Sequence, residues 1–280
     1  MNKTLAIFEL MRLDKPIGIY LLLWPALLAL VISSNGNFEY VDLIIVIIGS
    51  ILVRSAGCVI NDIWDKDLDG GVERTKTRPI PSKKLSISES WVVFAVLSIL
   101  SLMLLSLTNT NTILISICFG LMIVVYPLTK RFFIGPQIFL GLTFNPTIIV
   151  YAMTNELNNP TMIFLYLAIA AKTIAFDSFY GLCDMEDDKK LGINSTPLWW
   201  GSKTLLIIAI LQFAVISFLL IVGLKAELSS AWYIGIILLS GFYFYQHQLA
   251  SQKNFLLAFK NNHWASLYLL TLSVFCFLII

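Results

Sequence analysis

The sequence predicts an all-α fold, a polytopic bundle of about nine membrane-spanning helices, on three observations. Apolar residues make up 58% of the 280-residue chain and charged ones only 13%, where soluble domains carry about 25% charge. The apolar residues fall into long runs, close to the ~20 residues that a helix needs to cross a bilayer, and mean hydropathy is +0.83. The cations sit almost wholly on alternate loops. Inside lipid a backbone must satisfy its own hydrogen bonds, so such runs become helices rather than open strands. These features exclude a soluble globular protein. No Gly/Ser/Pro-rich linker divides the chain, so residues 1–280 are expected to form one integral-membrane domain.

The opening MNKTLAIFELMRLDKPIGIYLLLWP has no small-residue cleavage site behind a short apolar core, and is too acidic for a transit peptide, so it does not read as a targeting segment. Spans are predicted at 17–34, 41–60, 91–108, 112–127, 137–153, 161–180, 204–223, 231–245 and 264–280. Trp24, Trp91, Trp199, Trp200 and Trp264 are expected to anchor the shorter ones at the membrane interface. Cys58, Cys118, Cys183 and Cys276 lack metal-type spacing and read as small core residues.

Lys and Arg orient the bundle. Sixteen of the nineteen lie before span one or after spans two, four, six and eight. The opposite loops hold only Lys225. Cations collect on the cytoplasmic side, so the N-terminus is expected inside and the C-terminus outside. The net charge of +2 says nothing of partners by itself. The bilayer is an expected partner, nucleic acid is not, and oligomeric state is not legible.

Arg54 and Lys172 fall within spans two and six. Ionisable groups at that depth are costly unless they face a partner or a water-filled cavity. Each could equally pair locally, and Lys172 could extend its ammonium to the interface.

Two acidic clusters carry the chemistry. NDIWDKDLDGG (61–71) ends span two, and DMEDD (184–188) ends span six, on the same side of the membrane. The recurrence after four spans suggests a pseudo-repeat. Asn61, Asp65 and Asp69 recur at i, i+4 and i+8; Asp62 joins Asp65 and Asp69 at i+3 and i+7; Asp187 and Asp188 follow Asp184 at i+3 and i+4. Residues three and four apart share a helix face, and like charges so stacked destabilise the helix. A positive group must offset them. Oxygen-only ligands suit Mg²⁺, which takes few carboxylates and keeps waters and substrate phosphates in its shell. Gly70 and Gly71 are expected to stop the helix, and Asp67, off the stripe, to be a solvated bystander. A single acidic helix end is usually a solvated cap; two on one side, at matching spacing, are not readily explained so. The loop GVERTKTRPIP adds Arg74, Lys76 and Arg78, with Pro79 and Pro81 expected to keep it extended, and Lys130 and Arg131 follow span four. Carboxylates interleaved with Arg and Lys suit a metal-bridged diphosphate, whose remaining oxygens the cations can take. Above a large apolar bundle, that diphosphate implies a lipid tail.

These stretches resemble the 4-hydroxybenzoate polyprenyltransferase (UbiA-type) family of membrane prenyltransferases over nearly the whole chain. RLDKPIGIYLLLWPALLAL is similar to the family's opening helix, and RSAGCVINDIWDKDLDGGVERTKTRPIPS to its first aspartate motif and the loop beyond. YPLTKRFFIGPQIFLGL is similar to its central motif and FDSFYGLCDMEDDKKLGINST to its second aspartate motif. The resemblance implies nine helices around a central cavity, in a bacterial inner membrane. It implies Mg²⁺-dependent transfer of a polyprenyl group from polyprenyl diphosphate to 4-hydroxybenzoate, ortho to the hydroxyl, in ubiquinone biosynthesis. Asn61, Asp62, Asp65 and Asp69 match the first motif, Asp184 and Asp188 the second, with Asp187 a further candidate metal ligand. Arg74, Arg78, Lys130 and Arg131 match positions implied to hold the diphosphate. Arg54 is a candidate for the benzoate carboxylate, and Asp177 for supporting a cation or the phenol. Ser82, Asn194 and Pro197 stand where the family commonly has glycine, a basic residue and alanine, and FDSFYG replaces a more usual YDTxYA.

Other readings compete. Homogentisate or dihydroxynaphthoate could be the acceptor on the same fold. A CDP-alcohol phosphotransferase is disfavoured, because no AR pair follows Asp69-Gly70 and the second cluster lies far along the chain. A transporter is disfavoured because the acids lie at one surface, and no Gly/Pro-broken mid-membrane segments stand out.

Overall fold

A computed structural model describes residues 3–278, and among the described residues the regular structure is wholly helical. A short α1 (Lys3–Leu10) precedes α2 (Ile17–Ser33), α3 (Tyr40–Trp64), α4 (Ile87–Leu105) and α5 (Thr110–Thr129). Then come α6 (Pro136–Thr143), α7 (Thr147–Met153), α8 (Thr161–Leu191), α9 (Thr196–Trp200), α10 (Thr204–Lys225), α11 (Ser230–Ser251) and α12 (Phe255–Leu278). The nine predicted spans map onto these in order, and residues 279–280 of the last lie outside the described residues. Tyr40–Trp64, Ile87–Leu105, Thr110–Thr129, Thr161–Leu191 and Thr196–Lys225 are long and apolar enough to cross a membrane.

The main core joins α2, α7, α8, α10, α11 and α12 around Trp232, whose indole N–H donates to the Leu219 carbonyl at 2.8 Å. Side-chain amides tie the last three helices together: Gln212 donates to Gln246 at 2.8 Å, and Gln246 to Asn261 at 3.0 Å. α4 packs on α3, and α5 on α3, α6 and α7. Both otherwise turn apolar side chains such as Val92, Met103, Leu114 and Leu121 outward, as lipid-facing helices do.

The structure corrects four expectations. Span five is two helices broken at Phe144-Asn145-Pro146, so a Pro-broken segment does lie within the bundle. Pro146 cannot donate a backbone hydrogen bond. Asn145 repairs the gap: its Nδ2 donates to the Tyr166 carbonyl at 2.8 Å, and its Oδ1 accepts from the Thr147 N–H at 3.2 Å. Helix α3 ends at Trp64, before Gly70. The loop beyond is wound rather than extended, with Lys76 N–H on the Val72 carbonyl at 3.0 Å and Arg78 N–H on that of Thr75 at 2.9 Å. Apolar burial drives this, because Ile80 and Leu85 pack with Val59, Ile63 and Leu10 and pull the loop onto the bundle. Trp24 stands inside, stacked on Tyr20 at 5.4 Å and donating to His263 Nδ1 at 2.8 Å, because its indole N–H finds a partner there.

Candidate active site

A cavity of about 1430 Å³ opens at the end of the bundle where both acidic clusters lie, and is walled chiefly by α2, α3, α4, α5, α6 and α8. Its mouth is charged and its interior is largely apolar.

The first cluster reaches the mouth because its backbone keeps helical hydrogen bonds past the end of α3. Asp65 N–H donates to the Asn61 carbonyl at 2.9 Å, and Asp69 N–H to that of Asp65 at 2.8 Å. Asn61, Asp62, Asp65 and Asp69 therefore all line the cavity, while Asp67 is exposed. Asp65 is 1% exposed; Lys130, at the end of α5, donates to its Oδ2 and leaves Oδ1 buried without a partner. Asp69 Oδ2 accepts from Arg78 Nη1 at 2.8 Å. Burial pushes the Asp65 and Asp69 carboxyls above the ordinary carboxylate value, only partly offset by Lys130 and Arg78 respectively. Burial works against the Arg78 charge, but Asp62 and Asp69 outweigh it and hold that guanidinium above its usual value.

The second cluster is helical throughout, since α8 runs to Leu191 and stops at Gly192, a residue with φ of +68°. Asp184 and Asp188, one turn apart, line the cavity. Asp187 lies round the helix from them and off the lining; its Oδ2 accepts from the Glu73 N–H at 3.4 Å and its Oδ1 from Lys190 at 3.5 Å. Arg74 spans the mouth to Asp184 and packs its guanidinium 4.5 Å over the Tyr180 ring. Arg131 stands apart, donating to the Trp64 carbonyl at 2.5 Å and so closing the end of α3.

Deeper in, Arg54 lines the cavity with its guanidinium 5.2 Å over the Phe144 ring and a buried Nε lacking a hydrogen-bond partner. Glycine at residue 18 leaves room for the guanidinium in this position against α2: a Cβ there would lie 2.5 Å from Arg54 Nε, and the side chain would have to shift. Asp177 lines the same region, within electrostatic reach of Arg54. Phe176, Tyr180 and Phe259 form an aromatic wall, with Tyr180 and Phe259 at 4.7 Å. Lys172 is absent from the cavity wall; it donates to Ser266 between α8 and α12 and lies 5.4 Å from the Phe176 ring centre.

Sequence reasoning missed Arg12 and Asn145. Arg12 Nη2 donates to both oxygens of Asp62, at 2.8 and 2.7 Å. In the sequence it is one of the cations before span one, with nothing local to mark its partner.

The donor set suits a hard divalent cation. Among the described residues no three His, Cys, Asp or Glu side chains stand together as a ready cage; cations lie between the carboxylates instead. Asp65 Oδ1 is buried and has no hydrogen-bond partner, which leaves a hard oxygen donor at the mouth. A cation that takes one or two carboxylates and completes its shell with phosphate oxygens fits this arrangement.

The chain is similar along most of its length to known proteins. It is 40% identical over 265 residues to the 4-hydroxybenzoate octaprenyltransferase of Pseudomonas aeruginosa (strain LESB58), covering 92% of this chain and 89% of that one. It is 38% identical over 278 residues to the 4-hydroxybenzoate octaprenyltransferase of Aliivibrio fischeri (strain ATCC 700601 / ES114), covering 98% of each. The apo structure of a UbiA homolog from Aeropyrum pernix K1 superposes with a TM-score of 0.80 at 21% identity, over 90% of this chain and 94% of that one. A UbiA homolog from Archaeoglobus fulgidus bound to GPP and Mg²⁺ does so with a TM-score of 0.75 at 18% identity, over 98% and 100%. Residues 22–278 match the profile of the UbiA prenyltransferase family, and the chain belongs to that family.

Proposed function

We propose that this protein transfers a polyprenyl group from a polyprenyl diphosphate to 4-hydroxybenzoate at the carbon ortho to the hydroxyl, releasing diphosphate. One observation carries the reading: two acidic clusters interleaved with Arg12, Arg74, Arg78 and Lys130 at the mouth of an apolar cavity that holds Arg54 and Asp177 deeper in. Its relatives at 38–40% identity, named for 4-hydroxybenzoate octaprenyl transfer, support it.

Asn61, Asp65, Asp69, Asp184 and Asp188 are the residues that would hold Mg²⁺. When bound, the metal neutralises charge that builds on the departing diphosphate. Arg74, Arg78 and Lys130, joined by Arg12, take the diphosphate oxygens that remain free. The allylic C–O bond breaks, and the electron pair leaves with the diphosphate. The ring carbon ortho to the phenol oxygen attacks the allylic cation, and loss of the ring proton restores aromaticity. Phe176, Tyr180 and Phe259 exclude water from the cation. Arg54 holds the benzoate carboxylate beside Phe144, with Asp177 near the phenol. The cations gathered on alternate loops support an N-terminus and both clusters on the cytoplasmic side of a bacterial inner membrane, with the C-terminus on the opposite side.

Membranes containing the protein, given Mg²⁺, 4-hydroxybenzoate and a polyprenyl diphosphate, should form the 3-polyprenyl product, and EDTA should stop it. Product only with homogentisate or dihydroxynaphthoate would move the acceptor assignment. No metal-dependent product with any of the three would refute the reading.

A further inference from the structure

Asp62 differs from its neighbours in the first cluster. It is 0% exposed, and both its oxygens are engaged by arginines. Arg12 Nη2 donates to Oδ1 at 2.8 Å and to Oδ2 at 2.7 Å, and Arg78 Nη1 donates to Oδ1 at 3.1 Å. Asp65, by contrast, keeps one oxygen unpartnered. A carboxylate offers about four acceptor directions, and Asp62 has committed most of them to two cations it cannot release cheaply while buried.

The two arginines come from separate parts of the chain and are otherwise tied down. Arg12 follows α1 with φ of +57°, a conformation uncommon outside glycine, and its Nη1 closes that helix on the Glu9 carbonyl at 2.8 Å. Arg78 shares its Nη1 with Asp69 at 2.8 Å. A guanidinium carries five N–H donors in a fixed plane, so Arg78, bonding through Nη1 alone, retains donors for another anion. Asp62 and both arginines line the cavity mouth.

We propose that Asp62 is a positioning residue: it fixes Arg12 and Arg78 as a paired clamp for the diphosphate and does not itself hold the metal. This rests on the diphosphate reading above. It separates Asp62 from Asp65 and Asp69, with which its spacing had grouped it, and places Arg12 in the anion site.

Asp62→Asn, nearly isosteric, keeps the volume and removes the charge that holds the arginines. Purified protein is titrated with inorganic diphosphate by calorimetry in the presence of Mg²⁺, and with Mn²⁺ alone by electron paramagnetic resonance. The Kd for diphosphate and the KM for polyprenyl diphosphate should rise at least tenfold, with Mn²⁺ affinity and the KM for 4-hydroxybenzoate within twofold of wild type. Asp65→Asn should instead weaken Mn²⁺ at least tenfold. Loss of Mn²⁺ affinity in Asp62→Asn matching that of Asp65→Asn would make Asp62 a ligand and overturn the proposal. An unchanged diphosphate Kd with only a lower Tm would overturn it too. Adding Asp62→Asn to Arg12→Gln/Arg78→Gln should change the diphosphate Kd less than twofold, because the residue acts through those side chains; a full additional loss refutes that. Should Asp62→Asn fail to accumulate, Arg12→Lys, which keeps charge without the two-oxygen grip, should raise the same Kd, and an unchanged value refutes the clamp. Diphosphate binding is read without acceptor or turnover, so a wild type that binds diphosphate but does not prenylate 4-hydroxybenzoate counts against the acceptor assignment alone.

Discussion

Arg74, from the loop after the first acidic cluster, grips both carboxylate oxygens of Asp184 in the second, Nε to Oδ1 at 3.0 Å and Nη2 to Oδ2 at 2.5 Å. A residue proposed for the diphosphate thus neutralises a residue proposed for the metal. Lys130 and Asp65 repeat the arrangement. Like charges at the mouth are tolerated because Arg12, Arg74, Arg78 and Lys130 are set among Asp62, Asp65, Asp69 and Asp184, and under the proposed function a metal with its diphosphate would take the place of such partners.

Arg74→Gln should therefore act oppositely on the two ligands. The KM for polyprenyl diphosphate should rise about tenfold, equivalent to ~1.4 kcal/mol. Mn²⁺ binding without diphosphate should tighten, because Asp184 is freed. With the Arg74 side chain 32% exposed, the pair adds at most about 1 kcal/mol to stability, so Tm should barely move. Weaker Mn²⁺ binding in this variant would contradict the exchange.

Asp65→Ala or Asp184→Ala should abolish turnover while leaving membrane insertion intact. Asp65 Oδ1 has no protein partner to lose, so the functional loss should exceed the structural one. Product formation by washed membranes, beside the amount of inserted protein, checks this. Substantial activity in both variants would contradict the metal bridge.

The bundle was legible because hydropathy and loop charge are local signals that chain length amplifies. Contacts across long separations were not. Arg12 looked like ordinary interfacial charge because its partner, Asp62, lies on another helix. The break in span five was signalled only by the Asn145-Pro146 pair inside an apolar run. The acids were grouped by spacing, but helical spacing says which residues share a face, not which face meets the cavity. The structure therefore draws Asp184 and Asp188 to the lining and leaves Asp187 outside it. Lys172 and Arg54 looked alike in sequence, yet only Arg54 reaches the cavity.

Gly18→Ala should mimic loss of the acceptor site without touching a polar group. The new Cβ would lie 2.5 Å from Arg54 Nε and 2.6 Å from Nη2, so the guanidinium must move off its seat. A hydrogen bond to a charged group contributes about 1.5–3 kcal/mol. The KM for 4-hydroxybenzoate should accordingly rise about tenfold or more, with that for polyprenyl diphosphate unchanged, and Arg54→Gln should do the same. A rise in the diphosphate KM alone would remove Arg54 from the acceptor site.

Lys172→Met should leave the kinetics intact. Lys172 is 2% exposed, hydrogen-bonded to Ser266, and has no carboxylate in ion-pair contact among the described residues. Burying an ammonium without a counter-ion costs free energy that an apolar side chain of similar length avoids, while the packing against Pro25, Leu28, Ile169 and Leu269 would be kept. Tm should stay level or rise, and kcat/KM for both substrates should remain within twofold. A tenfold fall in kcat/KM at unchanged Tm would instead give Lys172 a part in the reaction, acting on the cavity through the Phe176 ring that lies between them.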